Sequence, residues 1–187
     1  ADYDDFISQE VVGGSFTPTD PAQYQYVNLD SVRIEGIEAR AALDFDNGVF
    51  ARLAAAYADG EVRSPGMADR PLSTIDPFSV VAGAGYRDPQ GRFGAELSAI
   101  YNARKQLDET AGLCSGECFR PDSFLVLDLF AWVAVTDALK LRAGVFNLTD
   151  ETYAYWSDVR GLSSSSTITE AFTRPGRNIS LSASFTF

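Results

Sequence analysis

The chain has 187 residues, 45% of them apolar, with a mean hydropathy of −0.08 and a net charge of −11. No run approaches the roughly 20 consecutive apolar residues of a membrane-spanning helix, so a helical membrane protein is excluded. The acidic balance excludes a nucleic-acid partner, which needs a basic footprint, and the absence of His removes catalytic sets built on imidazole.

Ala1 opens on acidic and polar residues (ADYDDFISQE) rather than a basic and apolar leader. The expectation is a processed N-terminus or a start inside a longer chain. A partial strand is predicted near Tyr3–Gln9, followed by a long connection over 10–29. Strict period-two alternation then begins. Ile37, Ala39, Ala41, Leu43 and Phe45 oppose Glu38, Arg40 and Asp44, and period two is the signature of a strand. Asp46-Asn47-Gly48 is strong hairpin chemistry, because Asn and Gly tolerate positive φ. After it, Val49, Ala51, Leu53, Ala55 and Tyr57 oppose Phe50 and Arg52.

The pattern repeats at Phe78, Val80, Ala82, Ala84 and Tyr86, then, after the Asp88-Pro89-Gln90-Gly91 turn, at Phe93, Ala95, Leu97, Ala99 and Tyr101. It returns at Leu125–Val135 and at Leu139–Val145. The last strand, RNISLSASFTF, puts Ile179, Leu181, Ala183, Phe185 and Phe187 on one face and small polar residues on the other. Connections alternate short (46–48, 88–91, 136–138) with long (10–29, 63–76, 106–122, 151–174). The charges Glu38, Arg40, Arg52, Arg92, Glu96 and Arg142 all take the non-apolar parity. Such a strand set suits a soluble core, but also a barrel wall with lipid outside and water inside. The expected fold is all-β, an antiparallel transmembrane barrel segment of about eight strands.

Cys114 and Cys118 are the only cysteines. Without His or a second Cys pair they make poor zinc ligands, and a small disulfide-closed loop in an oxidising compartment is the preferred reading. The carboxylate pairs Asp4/Asp5 and Asp108/Glu109 lack catalytic neighbours, so an enzyme is not expected. The Ser163–Ser166 run reads as a loop tip.

From Gly144 to Leu162 the sequence GVFNLTDETYAYWSDVRGL, then FTRPGRN (Phe172–Asn178) and the aromatic-terminated strand, resembles the C-terminal end of TonB-dependent outer-membrane receptors. NLTD-x-x-Y (Asn147–Asp150, Tyr153) carries the superfamily likeness. WSDVRGL (Trp156–Leu162) with RPGRN resembles the haem and haemoglobin receptor branch. Tyr26–Leu43 and Pro71–Phe78 resemble further strand segments of the family. The likeness covers nearly the whole chain.

That resemblance implies a barrel of about 22 strands plugged by an N-terminal domain, of which residues 1–187 are the C-terminal portion. It implies lipid around the wall, long loops outside and the C-terminus in the periplasm. It also implies energy from the TonB system through the missing plug, and Phe185 and Phe187 as a signal to the barrel-assembly machinery. Haem, or a protein carrying it, is the implied cargo at the outer loops. No cofactor is expected in this segment itself, and no imidazole haem ligand can come from it.

Two readings stand for the last long loop. The Tyr153-Ala154-Tyr155-Trp156 cluster touches a haem plane or a protein that carries haem, or it packs at the outer aromatic belt or within the loop, which is preferred. Arg160 pairs with a haem propionate as a guanidinium fork would, or it ties the loop to Asp158 or to the wall, again preferred. Alternatives for the whole are a siderophore-type receptor of the same superfamily, a complete eight-stranded outer-membrane barrel with an adhesin or structural role, and a soluble β-sandwich. If Leu127 faces lipid, its replacement by Arg should cost roughly 2–4 kcal/mol.

Overall fold

Side chains alternating between apolar and small polar suit extended backbone, and a continuous antiparallel sheet results. The computed structural model describes residues 1–114 and 116–186. The strands are β1 (Asp2–Gly13), β2 (Gln23–Asp44), β3 (Val49–Arg63), β4 (Arg70–Pro71), β5 (Ser79–Arg87), β6 (Phe93–Asn102), β7 (Phe124–Ala134), β8 (Leu139–Phe146) and β9 (Asn178–Phe185). They pair as a meander in the order β1-β2-β3-β5-β6-β7-β8-β9, with two-residue β4 added to β3. β1 and β9 are not paired with each other among the described residues, so the sheet is an open wall, not the closed eight-stranded barrel kept as an alternative.

Three tight turns form one rim. In the first, Gly48 adopts φ +90°, Phe45 donates to the Val49 carbonyl, and the Asn47 side chain accepts from the Val49 amide at 3.1 Å. In the second, the Asp88 carboxylate accepts from the Arg92 amide at 3.1 Å and from its guanidinium at 2.7 and 2.8 Å. The Arg92 guanidinium pulls the Asp88 carboxyl down to about 2. Arg92 is therefore a turn clasp and not a wall residue, a departure from its parity. In the third, Thr136 Oγ1 accepts from the Ala138 and Leu139 amides.

Register carries the apolar parity across the wall without a slip. Ile37 faces Tyr57, Leu53 faces Ala82, Leu97 faces Leu129, Leu141 faces Val133 and Ala183. A one-residue slip would have sent each strand's apolar set to the other face. The opposite face holds Arg40, Arg52, Glu96, Asp128 and Arg142, and it solves a packing problem with glycine. Phe50 lies across from Gly85 and Trp132 across from Gly94. A Cβ on Gly85 would meet the Phe50 ring at 2.7 Å, and one on Gly94 the Trp132 indole at 2.7 Å. Arg52 and Arg87 both stack on the Phe50 ring, and Lys140 lies 4.2 Å over Trp132. Aromatic rings thus shield the thin glycine stretches of backbone.

The long connections gather at the other rim: L1 (14–22), L2 (64–78), L3 (103–123) and L4 (147–177). L1 differs most from expectation, and L2 contains the short strand β4 where only a connection was expected. Residues 10–29, read as a loop, are mostly ladder, because β1 runs to Gly13 and β2 starts at Gln23. The Gly- and Pro-rich composition belongs to L1 alone, where the Thr17–Asp20 turn closes the hairpin. On β9, Phe185 pairs with Leu139 and shares the apolar face. Phe187 lies outside the described residues.

Candidate functional site at the long-loop rim

Asn147 and Asp150 end β8 and start L4, both in the left-handed region at φ +53° and +57°, which Asn and Asp tolerate better than other side-chain-bearing residues. The Asn147 amide donates to Asp128 on β7 at 2.8 Å, while its side chain donates to the Glu151 and Pro175 carbonyls and accepts from the Glu151 amide. Asp150 accepts from the Arg177 amide at 2.7 Å. The NLTD element is therefore a clasp that fixes both ends of L4 to β7–β9. Its functional consequence is orientation of everything between them.

Inside L4, a short helix α1 (Trp156–Val159) is held by carboxylate chemistry. Asp158 receives the Arg174 guanidinium through two bonds of 2.8 and 2.7 Å and the Tyr155 amide at 3.2 Å. Arg174 also covers the Tyr155 ring. Tyr155 packs edge-on against Phe124 and Tyr153. Burial, with Tyr155 beside it, raises the Tyr153 phenol above its ordinary value. Trp156 is 3% exposed, and its indole N–H donates to the Ser73 carbonyl of L2 at 2.8 Å. Arg160 reaches the Gln9 carbonyl of β1 at 3.5 Å, the long limit of a hydrogen bond. Asp158, one partner anticipated for Arg160, is committed to Arg174 instead.

These contacts make the four loops one body. Trp156, Val159, Leu162, Ala154 and Cys118 form a buried cluster, with Phe16 of L1, Leu113 and Phe119 of L3, and Ile168 and Phe172 of L4 packed on it. Cys114 and Cys118 form a disulfide, and beside it the Phe119 amide donates to the Leu162 carbonyl at 2.7 Å and Ser164 to Glu117 at 2.9 Å. A second cluster (Leu29, Val32, Val62, Leu72) pulls L2 over the polar face of β2 and β3.

Charge is buried between L2 and L3. The Lys105 side chain is 2% exposed and pairs with Glu109 at 3.0 Å; Glu109 also accepts from the Gln106 amide. Burial raises the Asp76 carboxyl above its ordinary value, against the pull of Lys105 and Arg160. A groove of about 690 Å³ opens between the hairpin tip and L3–L4, lined among others by Val12, Phe16, Leu113, Gly161, Ser163 and Ile168.

Tyr155, Trp156 and Arg160, each a candidate in the last long loop, have separate partners: Phe124 and Tyr153, Ser73, and Gln9. Sequence reasoning set Glu109 aside as an isolated carboxylate and missed its partner Lys105 and the nearby Asp76, whose only signal was a Lys in a Gly-containing loop. It also missed Phe16, whose place depends on distant L4. Among the described residues, no three His, Cys, Asp or Glu side chains converge on a metal position.

The TonB dependent receptor-like, beta-barrel family model matches residues 1–148, and the chain belongs to that family of outer-membrane barrels. By sequence it is similar to the hemoglobin and hemoglobin-haptoglobin-binding protein of Haemophilus ducreyi, 27% identical over 100% of this chain and 23% of the relative. It is also similar to hemoglobin-binding protein A of Haemophilus influenzae, 29% identical over 88% of this chain and 18% of the relative. A third relative is lactoferrin-binding protein A of Neisseria meningitidis serogroup B, 26% identical over 87% and 20%. The chain thus spans about a fifth of the length of these relatives.

By structure it is similar to the copper transporter OprC, with a TM-score of 0.73 and 26% identity over 100% of this chain and 28% of that one. The siderophore receptor PirA of Acinetobacter baumannii gives 0.64 at 20% identity, over 100% and 28%, a likeness of fold alone. The named relatives are binding proteins, a receptor and a transporter, and none of them is named as an enzyme.

Proposed function

We propose that the chain is the C-terminal wall and outer-loop segment of a receptor that takes up haem iron, as free haem or from a protein that carries it, with energy supplied through TonB. The observation that carries this reading is the set of sequence relatives named for hemoglobin binding, which match 88–100% of the chain. In this reading the apolar stripe faces lipid, the long-loop rim faces outward and the tight turns face the periplasm. Lipid and the barrel-assembly machinery are the remaining partners, the latter through the strand that bears Phe185.

The residues of the rim position the ligand. The clasp at Asn147 and Asp150 sets the L4 direction, the Trp156–Ser73 bond joins L4 to L2, and the Phe119–Leu162 and Ser164–Glu117 backbone bonds hold L3 against L4. With no His in the chain, an axial imidazole for haem comes from another part of the receptor or from the carrier. Haem is cargo here, not a resident group.

Deletion of the receptor gene in a strain that cannot make haem tests the reading. Growth on haemoglobin or free haem as the only haem source should be lost and restored by the intact gene. Unchanged growth on both, with lost uptake of a ferric siderophore, would instead establish a siderophore receptor of the same superfamily.

A further inference from the structure

Net charge is distributed unevenly along the transport axis. Residues 1–36 carry seven carboxylates against a single cation, Arg33. Arg33 is itself committed to Glu35 and to Asp2. Glu10 pairs with Arg70 of β4 at 2.7 Å, and Asp20 accepts from Ser15. Asp4, Asp5 and Asp30 have no cation within ion-pair distance among the described residues; Asp5 accepts only from the Asn28 amide group.

These carboxylates surround an apolar feature that lipid cannot cover. β2 is 22 residues long, about 70 Å of extended chain, against a hydrocarbon thickness near 30 Å. Its apolar stripe ends at Ile37, beside Tyr57, and Tyr26 stands eleven positions further on, about 35 Å along the strand. In that distal hairpin Phe6, Ser8, Val27 and Leu29 face the loop cluster and are covered. The other face presents Ile7 at 70% and Tyr26 at 74% exposure, in register with Asn28 and Gln9. Ile37, Ile179 and Leu181 are as exposed, but their stripe has the bilayer for a neighbour. Ile7 and Tyr26 do not. A protruding aromatic beside an aliphatic side chain, rimmed by unpaired charge of one sign, is the composition of a protein-binding patch.

We propose that the distal face of the β1–β2 hairpin docks a protein partner that presents lysine and arginine side chains around an apolar patch. The inference rests on the haem-uptake reading only for its probe. The carboxylates steer the encounter, and Tyr26 with Ile7 anchors the complex.

The test uses the full receptor with haemoglobin as the probe. Asp4→Lys with Asp30→Lys should slow association about tenfold at about 50 mM salt, and the difference should shrink toward nothing at about 500 mM. Ile7→Ala with Tyr26→Ala should instead speed dissociation about tenfold. Haemoglobin whose lysines have been succinylated should associate slowly with the unaltered receptor. Growth on free haem, unchanged in all variants, establishes that they fold and insert.

Association by the Asp variants equal to that of the parent receptor overturns the proposal while leaving haem uptake intact. So does a Tyr26→Cys receptor that resists thiol labelling without ligand, which would mean that the receptor's own loops cover the face. A parent receptor that supports growth on free haem but captures no haemoglobin overturns docking alone, and one that supports neither overturns both readings.

Discussion

The wall and the long-loop rim are held together by different kinds of interaction. In the wall, backbone ladders supply nearly everything, and side chains need only the right face. Leu97, Leu129 and Val145 meet across three strands, and any aliphatic residue of similar bulk would serve. At the rim, individual atoms matter: the Trp156 indole N–H finds one carbonyl, and Asp158 takes the Arg174 fork together with a backbone amide. The wall is therefore tolerant within a parity and intolerant across it, while the rim is intolerant residue by residue.

Trp156→Ala should make that contrast plainest. It removes the largest member of the loop cluster and should cost about 3–5 kcal/mol of local stability, seen as faster hydrogen exchange in L2, L3 and L4 with the wall unaffected. Equal protection in all loops would mean that they do not form one body.

Leu129→Arg puts a cation at the middle of β7 on the apolar face and should cost about 2–4 kcal/mol in urea unfolding of the refolded receptor. Leu127→Arg, nearer the long-loop rim, should cost less than Leu129→Arg, because the penalty falls toward the interface. Phe130→Arg, on the polar face, should lack the lipid penalty altogether. A neutral Leu129→Arg would break the parity assignment for the whole wall.

Gly85→Ala sharpens the polar-face half of the comparison. The new Cβ would sit 2.3 Å from the Ala95 carbonyl and 2.7 Å from the Phe50 ring, and overpacking of this kind costs about 1–3 kcal/mol. Phe50→Leu in the same chain should recover only part of it, since the backbone clash remains.

The smallest effects are those of pH. Burial raises the Asp76 carboxyl, so its neutral form is the better fit to the folded rim. Its contribution is fully present below the ordinary aspartate value and is lost as pH rises through the raised one. L2 should therefore exchange more slowly at mildly acidic pH, after correction for intrinsic rates, and Asp76→Asn should flatten that difference. Asp88 runs the opposite way. Its carboxyl is held down to about 2 by Arg92, so the turn's clasp is complete above the ordinary aspartate value and weakens as pH falls toward 2. Asp88→Asn should abolish that acid-side loss, and a persistent loss would assign it elsewhere.

Much of the wall could be read directly from the residues. Period-two alternation, Asn47-Gly48 and the Asp88–Gly91 turn placed five strands, the turn-side ends of β2 and β3 and three turns within a few residues, because strand parity and turn chemistry are local properties of the chain. The distal extensions of β2 to Gln23 and of β3 to Arg63 were not read. The first hairpin was harder to read. Residues 10–29 mix Gly and Pro with alternating QYQYVNL, and composition alone could not separate nine loop residues from the strands on either side.

The amino-acid sequence by itself determined the all-β class, the lipid-type and polar faces, the alternation of short and long connections and the family. Each follows from interactions between neighbours in the chain or from motif residues in order. Only the tertiary structure decided what the rim residues do. It committed Trp156 to Ser73, turned Asp158 to Arg174 instead of Arg160, buried Lys105 with Glu109 and lifted Ile7 and Tyr26 clear of the apolar stripe. The widest of those pairings joins residues 83 positions apart, and no local pattern encodes which distant carbonyl or ring will be within reach once the strands are in register.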